Sequence, residues 1–183
     1  MRLTRSATQG VSLFELLVVL VVASVLTAFF VVTAQYLMTS SRVSRVKEEH
    51  RVLTRALQNY ESDYGGVPNT RMGLHALCAP VAYMVQIPID PFSPRQNQEY
   101  AYVRLPGEES RWLIISEGPD HRNDVLNAFG LKQRGGAIVG GQADDRADTL
   151  SLPTEEVQSL LVRLTYDPTN GLVSGGDIIT LAR

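Results

Sequence analysis

The sequence holds one cysteine, Cys78, and one tryptophan, Trp112, in 183 residues. A single cysteine excludes an intramolecular disulfide framework and any zinc site built on CxxC pairs. Nor is there an excess of charge of one sign: 17 Lys+Arg against 19 Asp+Glu leave a formal charge of −2. That balance supplies no general basic field for nucleic acid, and no stripe of basic and aromatic residues runs along the chain. Residues 11–64 contain neither proline nor glycine, so nothing there forces a helix to break. Residues 16–38 carry no formal charge at all.

That uncharged segment is nearly all Val, Leu, Ala and Phe, interrupted by Ser24, Thr27, Thr33 and Gln35. As a helix it is roughly 35 Å long, enough for a hydrocarbon core of about 30 Å. Its many valines do not argue for a strand, because a lone strand cannot satisfy its backbone in lipid. Residues 1–10 carry Arg2 and Arg5 and no acid. One reading is a secretory signal with a weak cleavage site at Val32-Thr33-Ala34, but the apolar run exceeds a usual signal. A second is a plain anchor, which charge cannot orient because Arg42, Arg45 and Lys47 follow the run.

A third reading explains Glu15, an acid at the head of the apolar run. A charged group costs ~2.5–3.5 kcal/mol at a bilayer centre, and so needs a partner. Cleavage after Gly10 would give Val11 a new cationic amine, four residues before Glu15. Pairing of that amine with Glu15 between neighbouring chains would set the stagger of an assembly.

The run Gly10-Val11-Ser12-Leu13-Phe14-Glu15-Leu16-Leu17-Val18-Val19 resembles the processing signal of type IV pilins and type II secretion pseudopilins. The resemblance implies cleavage after Gly10 by a prepilin peptidase, N-methylation of Val11, and an assembly role for Glu15. Val11 and Phe14 depart from the usual residues but stay apolar. Where many members carry a proline about twenty residues into the mature helix, this chain has Val32 and Thr33.

The apolar run passes into a stripe of Val43, Val46, His50, Leu53, Leu57, Tyr60 and Tyr64, at alternating spacings of three and four. Charged residues lie mostly off it, so it predicts one amphipathic helix face. A single helix of roughly 50 residues, about 75 Å long, is expected, ended by Gly65-Gly66. Such a helix suits a fibre subunit; a coiled-coil stalk is the alternative. The expected divisions are a leader at 1–10, an assembly helix at 11–38, its amphipathic continuation at 39–65, and a mildly acidic globular domain at 66–183.

In that domain, residues 71–79 predict a short helical turn, and residues 87–94 a proline-punctuated loop. Residues 100–103 and 112–115 predict a hairpin around Pro106-Gly107, with a third strand at 177–181. Val157, Leu160, Leu161 and Leu164 mark an amphipathic helix begun near Pro153. Residues 130–150, with Gly135-Gly136 and Gly140-Gly141, predict a mobile loop.

These pieces are again similar to the major pseudopilin of type II secretion. The similar segments are Gly66-Val67-Pro68 with Gly73-Leu74-His75-Ala76-Leu77, Ile89-Asp90-Pro91-Phe92 with Tyr100-Ala101-Tyr102, and Ile115-Ser116-Glu117-Gly118-Pro119-Asp120. Tyr166-Asp167-Pro168 with Gly176-Asp177-Ile178-Ile179 resembles a C-terminal block of related pilin-like proteins. Residues of about 125–165 form an insertion relative to shorter members. The fold implied is α+β and pilin-like: one long N-terminal helix, its first half transmembrane, packed on a small antiparallel sheet.

Loop oxygens cluster at Asp120, Asn123 and Asp124, and again at Asp167, Asn170 and Asp177. Such ligands suit Ca²⁺, and the resemblance implies calcium at Asp120 and Asp124, completed by Asp177. The alternative is ordinary turn-making by these side chains. His75 and Cys78 are spaced like zinc ligands, but a full set would need distant histidines. An Asp120–His121–Asp124 hydrolase lacks a serine elbow or phosphate loop, so no enzyme is expected.

The function implied is a structural subunit, anchored once in the inner membrane with its domain in the periplasm. It would polymerise with copies of itself and other pseudopilins into a pseudopilus for type II secretion. Implied partners are membrane lipid, the prepilin peptidase, an assembly ATPase and a platform membrane protein, with no nucleic acid. The alternatives are a type IV pilus (minor) subunit in adhesion, motility or DNA uptake, and a monomeric anchored enzyme.

Overall fold

The computed structural model describes residues 12–95, 97–105, 111–134, 137–139, 154–170 and 174–182. Gly10, Val11, Pro106-Gly107 and Pro153 lie outside these residues, as do residues 135–136 and 140–153 of the 125–165 insertion. Contacts divide the chain into two units, Met1–Met38 and Thr39–Arg183. Helix α1, Leu13–Tyr64, contributes to both.

In the first unit α1 is exposed on all sides, with Phe14, Leu20, Leu26, Phe29 and Phe30 all more than half accessible. Its polar side chains are satisfied within the helix. Ser24 donates to the Val21 carbonyl at 2.8 Å, Thr27 to Ala23 at 2.8 Å and Thr33 to Phe29 at 2.9 Å. A helix that bonds its own hydroxyls leaves fewer polar groups facing lipid. It is the one helix, among the described residues, long and apolar enough to cross a membrane.

In the second unit α1 is amphipathic, as its spacing predicts. Val43, Val46, His50, Leu53, Ala56 and Leu57 are buried, Tyr60 is half-buried against them, and Tyr64 is exposed. The helix ends at Gly65, whose φ of 71° suits a residue without Cβ.

The sheet has the order β1 (Ala101–Arg104), β2 (Trp112–Ser116), β5 (Ile178–Leu181), all antiparallel. The register Tyr102↔Ile114↔Thr180 and Val103↔Leu113↔Leu181 sends alternate side chains to opposite faces. Tyr102, Trp112, Ile114 and Ile178 join the buried stripe of α1 in one cluster. Ala101, Val103, Leu113 and Ile115 join a second cluster with Val125, Leu126 and Phe129 of the α2 region and Val157 and Leu161 of α3. Here α2 spans Asp124–Ala128 and α3 spans Thr154–Leu164. Central β2 is therefore covered on both faces, which explains its continuous apolar run. Each of its large side chains contributes ~1.5–3 kcal/mol by leaving water.

The expected short turn is a 3-10 helix at Gly73–Leu77. The expected loop at 130–150 needs correction. Lys132–Arg134 (β3) and Ala137–Val139 (β4) pair antiparallel, with Arg134 opposite Ala137. Two residues separate the strands in sequence, Gly135-Gly136, a pair that favours tight hairpin turns. Each strand has three residues, too few for a period to show in the sequence.

Candidate functional site

Glu15 lies in the first turn of α1 and is exposed there. An acid in the first turn also suits the positive end of the helix dipole. No Lys or Arg occurs between it and Arg42. The apolar helix thus carries one charge and offers that charge no cation of its own.

The residues near the end of β2 form a buried polar joint. Asp90 is 5% exposed. Its Oδ1 accepts from the Phe92 N–H at 2.9 Å and the Ser116 hydroxyl at 2.8 Å, and its Oδ2 from the Glu117 N–H at 3.0 Å. Asp90 therefore fastens the proline loop to the end of β2. Burial raises its pKa, and those three hydrogen bonds oppose the rise. Tyr102 similarly donates to the Pro68 carbonyl at 2.7 Å, and the Arg104 N–H to Thr70 Oγ1 at 3.0 Å, holding the 66–70 segment on β1.

Gly118 has φ of +69°, and a Cβ there would overlap the Gly176 carbonyl. Gly176, at φ +119°, would itself place a Cβ 2.8 Å from the Leu164 carbonyl. The Ser116-Glu117-Gly118 and Gly175-Gly176-Asp177 segments can meet this closely only as glycines.

Asp177 is fully buried. Its Oδ2 accepts from the Val125 N–H at 2.7 Å and its Oδ1 from the Asp124 N–H at 3.3 Å, so it caps the start of α2. Asn123 completes that end by accepting from the Leu126 N–H at 2.9 Å. Asp120 Oδ1 accepts from the Arg122 N–H and Oδ2 from the Gly176 N–H, both at 3.3 Å. Desolvation, then Asp124 and Asp120, push Asp177 up to about 7 against its capping bonds.

Asp120, Asp124 and Asp177 thus share one neighbourhood but address backbone N–H groups. Among the described residues, no group of three or more His, Cys, Asp or Glu side chains is placed to hold a metal ion. As arranged, the Asp120 and Asp177 carboxylates accept from backbone N–H groups of the 120–122 turn, the start of α2 and Gly176. The zinc idea also finds no set: His75 faces Glu99 at 3.1 Å, Cys78 packs against the first cluster, and His50 sits in the core. The His121 Nδ1 meets the Phe92 carbonyl, which fixes the ring against the proline loop.

Two further ionisable groups are buried, His50 and Glu117. His50 Nδ1 meets Thr180 Oγ1 at 2.9 Å, and its ring lies edge-on to Tyr100, 4.8 Å between centroids. Burial pushes it down to about 4, so it is a neutral core residue. Glu117, 8% exposed, accepts from Gln98 at 3.3 Å, while its Oε2 has no hydrogen-bond partner among the described residues. Desolvation, then Asp90, push it up to about 7. The signal was available: Glu117 directly follows a fully buried strand.

Glu117 therefore makes stability depend on pH. A carboxyl raised from 4.5 to about 7 holds a proton that the unfolded chain has released. Its contribution is complete below about pH 4.5 and is lost as pH rises through about 7. Asp177 acts in the same direction, and His50 in the opposite one across about 4–6.5. Comparison of Glu117→Gln with the native chain isolates Glu117. The variant is expected to be ~1–2 kcal/mol more stable at pH 8 and no more stable at pH 5. Thermal midpoints at both pH values check this; an equal difference at both would contradict it.

A long helix with an exposed apolar half, whose amphipathic continuation packs on a small antiparallel sheet, defines the class: an α+β, pilin-like fold with a candidate membrane span. The chain belongs to the type II secretion system protein G family, whose model matches residues 36–128, just over half of the chain. The match takes in the amphipathic part of α1, the 3-10 turn, β1, β2 and α2. Neither the curated proteins nor the solved structures compared with the chain gave a match. The family is a structural component of the secretion system rather than an enzyme family.

Proposed function

We propose that the chain is a pseudopilus subunit that polymerises through residues 11–38 to drive type II secretion. The observation that carries this is the first half of α1: apolar on every side, exposed, internally hydrogen-bonded, and bearing one acid, Glu15. Such a surface is stable in lipid or against copies of itself, and unstable in water. Cleavage between Gly10 and Val11, with methylation of Val11, supplies the amine that Glu15 needs. The domain at 66–183 then stands in the periplasm, on a helix anchored once in the inner membrane. The assembly ATPase, platform protein and prepilin peptidase are partners in this reading through family membership. Family membership also favours secretion over a type IV pilus.

Intact-mass measurement of the protein purified from membranes tests the processing step. The expected mass corresponds to a chain starting at Val11 with one added methyl group. A chain retaining Met1, or starting after Ala34, would overturn the reading.

A further inference from the structure

Beyond Met38 the helix carries a second chemical signal. Tyr36, 55% exposed, closes the apolar run, and Thr39, Ser40 and Ser41 follow. Arg42, Arg45 and Lys47 come next, all exposed. No Asp or Glu occurs between Glu15 and Glu48. Among the described residues, neither Arg42 nor Lys47 has an acidic partner within salt-bridge distance, and Arg45 shares Glu49 at 2.7 Å on an open surface. At about 100° per residue, Arg42 and Arg45 flank the buried stripe on one side and Lys47 on the other. The cations therefore form a partial collar around the helix rather than a face directed at one protein neighbour.

We infer that this collar is a docking surface for anionic lipid headgroups on the leaflet bordering residue 39. The inference rests on the reading of residues 16–38 as membrane-spanning. The order tyrosine, short polar step, then three cations, two of them without an acidic partner among the described residues, matches the order of a bilayer edge: interface, ester zone, phosphate. Long arginine and lysine stems keep their alkyl parts near apolar surface while the charge reaches phosphate. Arg42 and Arg45 are one helical turn apart, so two headgroups can be held side by side, and Arg's planar fork suits phosphate oxygens. An acid anywhere in 39–47 would have cancelled this attraction. The consequence for the function is a subunit held in the bilayer by headgroup contacts that must be released when it joins a filament.

The test uses the full chain reconstituted in vesicles with spin-labelled phosphatidylglycerol or phosphatidylcholine as the probe. The spectra report the fraction of each lipid immobilised on the protein. The native chain is expected to prefer phosphatidylglycerol on the order of fivefold in low salt, falling toward parity in high salt. The triple change Arg42→Gln, Arg45→Gln, Lys47→Gln should abolish most of that preference while the domain's thermal midpoint is unchanged. Equal immobilisation of both lipids by the native chain overturns the inference. So does a preference that survives the triple change. A chain that does not float with phosphatidylcholine vesicles at all overturns the membrane reading instead.

Discussion

Glu15→Ala leaves membrane insertion intact and removes assembly. Insertion is expected to hold, or improve, because the substitution deletes the one charge between residues 12 and 41. Assembly is lost because the Val11 amine would then be buried between helices without its anion. Breaking a buried ion pair by removing one partner costs about 3–5 kcal/mol. At each subunit contact that weakens association by roughly 10²- to 4 × 10³-fold. Glu15→Gln keeps a hydrogen-bond acceptor but no charge, so it should fall between the native chain and Glu15→Ala. The measurement is the fraction of cross-linked multimers in membranes, beside the amount of protein resisting alkaline extraction. Normal multimers from Glu15→Ala would remove the carboxylate from the mechanism.

The second large effect lies in the domain. Asp90→Ala removes one side chain and strands three donors: the Phe92 and Glu117 N–H groups and the Ser116 hydroxyl. All three residues are buried. A buried donor left without its acceptor costs ~1–3 kcal/mol, and some relaxation of the proline loop is expected. The total should be about 3–5 kcal/mol, or a fall of roughly 10–20 °C in the thermal midpoint for a unit of this size. Ser116→Ala loses one of the three bonds and should cost about 1 kcal/mol. A fall of only a degree or two for Asp90→Ala would show that the loop is fastened by something else.

The sequence was most legible where periodicity or an uninterrupted run speaks for itself. The stripe from Val43 to Leu57 marks the buried face of α1, and Gly65 marks its end. The three strands of the main sheet fall where short β-branched and aromatic runs put them. Less legible were features made by distant segments meeting. Asp177 reads as a loop oxygen, yet it is the cap of a helix more than fifty residues earlier. Asp90 reads as part of a proline turn, yet it ties that turn to a strand end. No local pattern shows which backbone N–H a carboxylate will meet, because the meeting is set by the closed sheet. The short helix α2 escaped for the same reason: five residues have no period to detect, and its start is capped by Asn123 and Asp177 together. The motifs that carry the family resemblance, around Asp90, Gly118 and Gly176, are thus the joints of the domain.

The first unit presents the opposite situation. Its meaning depends little on tertiary contact and mostly on what a bare apolar helix can tolerate. The most direct test places a photo-reactive residue at Leu16, Val21 or Leu26 of the native chain and irradiates membranes containing the complete secretion machinery. A staggered, head-to-tail contact does not close on itself, so linked species should extend through dimers and trimers to a ladder of higher multimers. Linked species that stop at the dimer, or that are absent, would contradict polymerisation through this helix.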